Sequence, residues 1–134
     1  MRSIRFLAVR GYKALNRRSD LGLISGLFSN RVYLTTDDPG TESVSRISEE
    51  TGHYVEMVGC PCECIEDRAL ANPPGESRMR ERKKTVVLVL GKGSEGRQRF
   101  GNLTYDCPTD SEMVRKSMNN YDRQTIRRKV SRRT

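Results

Sequence analysis

The chain has 134 residues, of which 34% are hydrophobic and 6% aromatic, with no tryptophan and a net charge of +8. That length supports one domain with a small core. No stretch approaches the ~20 consecutive apolar residues that cross a bilayer, which excludes a membrane-spanning helix. The charge is unevenly placed: residues 1–36 carry seven bases and one acid, residues 37–67 one base and nine acids, and residues 68–134 seventeen bases and seven acids. Two basic ends flanking an acidic middle suit a polyanionic partner, most simply a nucleic acid.

Residues 1–30 read as a basic N-terminal arm or helix. On a helix, Ile4, Leu7, Ala8, Gly11 and Leu15 share one face and Arg10, Lys13 and Arg17 the other. The same Arg-rich, acid-poor pattern suits a mitochondrial transit segment, and Ile4–Val9 also reads as a buried strand. Residues 31–125 form the single small domain. Its first strand is expected at 31–36, which is β-branched and aromatic and ends at Asp37-Asp38-Pro39-Gly40. A short acidic helix over Thr41–Glu50, closed by Gly52, and a second strand over 53–58 follow.

Gly59-Cys60-Pro61-Cys62-Glu63-Cys64 places three of the four cysteines within five residues. Thiolate sulfur is a metal ligand and a nucleophile, so the cluster suggests metal binding or thiol redox chemistry. Cys60, Cys62 and Cys64, closed by Cys107 or His53, would supply a structural zinc site. No apolar signal segment precedes these cysteines, so a secreted disulfide framework is not expected.

A Pro/Gly-rich stretch at 71–77 opens onto Arg78, Arg80, Arg82, Lys83 and Lys84, a cluster suited to phosphate contact. Residues 85–90 are the strongest strand signal, continuous enough to be central and buried on both faces. Gly91-Lys92-Gly93-Ser94-Glu95-Gly96 matches G-x-G-x-x-G, but a strand at 99–105 follows instead of a helix, so a hairpin loop is expected rather than a dinucleotide site. Phe100 and Tyr105, beside Arg97 and Arg99, approximate the aromatic spacing of an RNA-stacking strand, with Asn102 where an aromatic would stand. Thr109 or Asp110 caps a final helix. Lys116, Asn120, Arg123 and Arg127 fall on one face of it as a cationic stripe that runs on into Arg128 and Lys129. Residues 126–134 form a basic tail.

These features predict an α+β fold, a small mainly antiparallel sheet packed by the C-terminal basic amphipathic helix. The function they favour is binding of nucleic acid, RNA before DNA, with zinc as the cofactor. Arg78, Arg80, Arg82, Lys83, Lys84, Arg97, Arg99, Phe100, Lys116, Arg123, Arg127, Arg128 and Lys129 are the nucleic-acid contacts, and Cys60, Cys62, Cys64 and Cys107 the metal ligands. A subunit of a large assembly such as a mitochondrial ribosome, a small viral accessory protein and a thiol redox protein fit the same composition. A cytoplasmic or nuclear location is expected, or a mitochondrial one if the first residues are a targeting segment. With His53 the only histidine and no carboxylate pair standing out, the chain reads as non-enzymatic.

Overall fold

The computed structural model describes residues 2–10, 15–37, 42–65 and 84–133. In chain order the elements are β1 (Arg2–Arg10), α1 (Leu15–Leu27), β2 (Arg31–Asp37), α2 (Val44–Met57), β3 (Cys62–Cys64), β4 (Thr85–Leu90), β5 (Arg97–Phe100), β6 (Leu103–Asp106) and α3 (Asp110–Arg133). The first four strands form a sheet in the order β3-β2-β1-β4, and β5 and β6 pair separately.

Every pairing in the four-stranded sheet is parallel, with Ile4 opposite Arg31, Val32 opposite Cys62 and Arg2 opposite Thr85. This overturns the expected antiparallel sheet. A helix lies between β1 and β2 and another between β2 and β3, so each strand starts again from the same end of the sheet. The antiparallel pair is confined to the hairpin β5–β6, where Gly101 supplies the turn at φ +56°.

The strands expected at 31–36 and 85–90 form, but β4 is the outer member of the order rather than its centre, and it is only partly buried. The centre is shared by β1 and β2, and β1 comes from the segment read mainly as an arm. The strand expected at 53–58 is instead the second half of α2, because Ile47, Thr51 and Val55 recur at helical spacing and are buried on one face. The strand expected at 99–105 is the hairpin.

Alternation along the strands divides the core in two. Leu7, Val9, Val32 and Leu34 face the helices and pack with Ile47 and Val55 of α2, with Leu21 of α1 against them. Ile4, Phe6 and Tyr33 face the other way, toward Val87 and Val89, and the Phe6 and Tyr33 rings stack with centroids 5.7 Å apart. Both helices therefore lie on one side of the sheet. They approach closely at Gly22, where a Cβ would come within 2.7 Å of the Thr51 carbonyl oxygen and of Tyr54 Cβ. Replacing Gly22 with Val should force α1 away from α2 and cost about 1–3 kcal/mol in urea-induced unfolding.

Candidate functional site

The strand order fixes where a ligand site is expected. From β1 the chain steps to β2 and then β3 on one side, and then crosses to β4 on the other side of β1. The direction of winding thus reverses between β1 and β4. In open parallel sheets the crevice at the carboxyl ends of the strands flanking such a reversal is the usual binding position. Here that edge holds Asp37 at the end of β2 and the loop Gly91–Gly96 after β4.

A groove of about 670 Å³ opens at this edge. Leu7, Leu21 and Leu90 give it an apolar lining, while Arg5, Arg17 and Glu95 line it with charge. The Nε of Arg5 is buried and has no hydrogen-bond partner among the described residues. Gly91 closes the end of β4 with φ +111°, and a side chain there would collide with the Ala8 carbonyl oxygen on β1. The glycine is therefore required both by its backbone angle and by the contact.

Lys92 anchors the loop. Its side chain is fully buried, with Nζ 2.6 Å from Asp37 Oδ1, and it also donates to the Arg97 carbonyl oxygen. Glu95 Oε2 lies 3.9 Å away. One ammonium thus joins the end of β2 to the start of the hairpin. On the far side of the loop, Gly93 N–H donates to Asp110 Oδ2 at 2.6 Å, and Asp110 N–H donates back to the Gly93 carbonyl oxygen at 3.0 Å. The helix that begins there carries a reciprocal cap: Thr109 N–H donates to Glu112 Oε2 at 2.9 Å, and Glu112 N–H to Thr109 Oγ1 at 3.2 Å. Lys92→Met should remove the buried ammonium that joins Asp37 to the hairpin and cost about 3–5 kcal/mol of stability in denaturant titration.

A second buried cation braces the approach to α2. Arg18 of α1 reaches Glu50 at 2.8 Å and Glu42 at 2.9 Å. Burial alone would weaken its charge, but the hydrogen bonds to Glu50 and Glu42 outweigh that, and the guanidinium holds its proton more tightly than usual. The acidic middle of the sequence is in part consumed here: Glu42, Glu50 and Asp37 neutralise internal cations.

The cysteines do not gather into one four-sulfur site. Cys60 is buried and its thiol donates to the Ser29 carbonyl oxygen at 3.4 Å. Cys62 and Cys64 lie on β3, whereas Cys107 follows β6 in the other sheet, and His53 is exposed on α2. Among the described residues no group of three or more His, Cys, Asp or Glu side chains is placed to hold a metal ion. Burial, with help from Cys64 and Glu56, pushes the Cys62 thiol up to about 12. Burial also raises Cys60 and Cys64. A thiol near neutral pH that is almost wholly protonated is a poor nucleophile, which tells against the redox reading. Since the unfolded chain releases the Cys62 proton near 9.0 and the folded one holds it to about 12, stability should fall as pH rises across that interval. Urea titrations at pH 8 and 10.5 should show the fall, and Cys62→Ala should reduce it.

Of the expected nucleic-acid contacts, Arg78, Arg80, Arg82 and Lys83 lie outside the described residues. Lys84 is exposed just before β4, and Arg97 and Arg99 are exposed on β5, where Phe100 is the last strand residue. Lys116, Arg123, Arg127, Arg128 and Lys129 are exposed along α3, which buries only Met113 and Ser117. Sequence reasoning missed Lys92, Asp37, Arg5, Arg17, Gly91 and Glu95 as members of one site. The signal in the sequence is the short segment Gly91-Lys92-Gly93 directly after a strong strand.

No protein-family model matches this chain. It is 29% identical over 107 residues to the UDP-N-acetylmuramyl-tripeptide synthetase of Lacticaseibacillus paracasei, covering 78% of this chain and 20% of that protein. A synthetase of the same name from Roseiflexus sp. is 38% identical over 84 residues, covering 60% of this chain and 16% of that protein. The UDP-N-acetylmuramoyl-L-alanyl-D-glutamate--2,6-diaminopimelate ligase of Alkaliphilus metalliredigens is 31% identical over 109 residues, covering 78% of this chain and 22% of that protein. A solved ligase of that last name superposes with a TM-score of 0.72 at 21% identity, covering 89% of this chain and 24% of its own, so the fold is shared. The chain spans about a fifth of the length of the curated relatives it matches.

These likenesses overturn the RNA- or DNA-binding, ribonucleoprotein and viral-accessory readings and the expectation of a non-enzymatic protein. The proteins this chain resembles are named as ligases and synthetases of UDP-N-acetylmuramyl peptides, not as nucleic-acid binders. The basic residues of α3 are exposed. Among the described residues no helix is long and apolar enough to cross a membrane.

Proposed function

We propose that this chain is the α/β unit of a ligase that extends a UDP-N-acetylmuramoyl peptide, and that its carboxyl-edge crevice holds the amino acid being added. The observation that carries this reading is the pairing of opposite charges in the crevice at the winding reversal. Arg5 and Arg17 offer guanidinium donors to a carboxylate, Glu95 offers a carboxylate to an ammonium, and Leu7, Leu21 and Leu90 lie along the groove between them. Such a site suits a zwitterion with an apolar stem. One ligase that the chain resembles is named for 2,6-diaminopimelate, a substrate with two ammonium and two carboxylate groups.

The likeness covers only about a fifth of those proteins, and the reading is confined to the amino acid being added. The bacterial source of the relatives and their UDP-linked substrate favour a cytoplasmic setting over the nuclear and mitochondrial ones.

The test is an NMR titration of the 15N-labelled chain with meso-2,6-diaminopimelate, with L-alanine as control. Saturable shifts are expected for the amides of Gly91, Gly93 and Glu95. Arg17→Gln and Glu95→Gln should each weaken binding by about tenfold or more, the scale of one lost charged hydrogen bond. Variants that bind as tightly as the parent chain would overturn the crevice as the amino-acid site.

A further inference from the structure

The groove at the winding reversal has a direction. β1 and β2 are parallel, so α1 runs back along them, and Arg17 near its start stands at the carboxyl edge with Glu95 of the loop after β4. Leu21 follows one turn further along the helix, and Ser25 lies about 12 Å below Arg17 at the rise of an α-helix. On the strand side Leu7 pairs with Leu90, and both line the groove. Arg5 is two residues earlier on the same face of β1, opposite Leu88 and about 10 Å below Ala8, against which Gly91 lies. The groove is thus charged at its mouth, apolar along its middle and charged again at its deep end.

The deep end carries a cation alone. Arg5 is half-buried, and its Nε is wholly buried with no hydrogen-bond partner among the described residues. The two acids of the lining, Asp37 and Glu95, both belong to the mouth, and Asp37 is already held by Lys92. A guanidinium desolvated in a largely apolar groove is satisfied best by a carboxylate, which returns both the charge and the acceptors that burial removes.

We infer that Arg5 is a specificity residue of the crevice and reads a carboxylate at the far end of the amino acid being added; this rests on the crevice being the amino-acid site. The head of the substrate lies at the mouth, its α-carboxylate toward Arg17 and its α-ammonium toward Glu95. The stem runs along Leu7, Leu21 and Leu90. An amino acid as long as 2-aminopimelate or 2,6-diaminopimelate then brings a second carboxylate to Arg5. Lysine has a comparable stem but ends in an ammonium alone, which meets Arg5 as a like charge where little water screens the repulsion. The distal carboxylate, rather than the distal ammonium, is the group selected.

The experiment follows the 15N-labelled chain by NMR during titration with meso-2,6-diaminopimelate, L-2-aminopimelate and L-lysine. The parent, Arg5→Met and Arg5→Lys are compared, and the amide spectrum of each reports that it is folded. The parent should bind both dicarboxylates and prefer each to lysine by about tenfold or more. Arg5→Met should lose that preference, binding the dicarboxylates about tenfold more weakly while holding its affinity for lysine, and Arg5→Lys should restore part of it. Equal affinity of the parent for lysine and the dicarboxylates would overturn the assignment to Arg5 and leave the crevice as the amino-acid site. So would an Arg5→Met chain that keeps the parent's preference, or one that loses affinity for all three ligands alike, the mark of a purely structural role. An absence of shifts with any of the three would overturn the crevice reading itself, and the assignment with it.

Discussion

The buried contact between Lys92 and Asp37 is the constraint on which the carboxyl edge depends. Removing an ammonium and a carboxylate from water is costly, and a close pair offsets that cost only when the remaining hydrogen-bonding capacity is also used. Lys92 uses it by reaching the Arg97 carbonyl oxygen as well as Asp37. The result is a single atom that couples the end of β2 to the start of the hairpin, across a strand order in which neither is next to the other. Gly91 sets the distance by letting the end of β4 lie directly against Ala8. The loop then turns away, to be met by Asp110 at the start of α3. With the loop held at both ends, Glu95 stands at the rim of the groove with its carboxylate exposed.

This arrangement explains the charge distribution better than a polyanionic partner does. The acidic segment between residues 37 and 67 looked like a separate patch because linear counting cannot see pairing across the fold. In three dimensions Asp37 belongs to Lys92, and Glu42 and Glu50 belong to Arg18. Glu63 lies 3.6 Å from Arg31 on the opposite face of the sheet edge. The basic side chains of α3 are, by contrast, largely exposed, and the helix buries Met113 and Ser117. Its apolar residues Met118, Ile126 and Val130 are themselves exposed, so the stripe of bases opposite them is no more distinctive than an ordinary solvated face.

Local features were legible in the sequence where local physics decides them. The strand at 31–36, the strand at 85–90 and the capped final helix follow from β-branched runs and from the Thr109–Glu112 spacing. Two segments were misread because they satisfy two periods at once. His53–Val58 alternates like a strand, yet Val55 completes the helical series begun by Ile47 and Thr51, and Gly52, expected as a helix stop, is buried within the helix. In β1, the arginines at 2, 5 and 10 suggested an arm, while the run between them is the core of the sheet. The direction of strand pairing was not legible, because it depends on which distant segments meet. The crevice was hidden for the same reason: its charged members come from β1, α1, β2 and the loop after β4.

The position of β1 has a consequence for how the chain acquires its structure. This strand is made first but completed last, since one edge pairs with β2 a short way along the chain and the other with β4, joining Arg2 to Thr85. Closing the second contact requires a long loop, and such distant pairings form slowly. Until β4 arrives, β1 presents an unpaired parallel edge rich in Ile, Phe, Leu and Val, the kind of edge that recruits other chains. The arginines at positions 2 and 5 then serve a purpose in the incomplete state. They place repelling charge along an edge that is otherwise well suited to self-association, protecting the chain during the interval in which its central strand is still its outermost one.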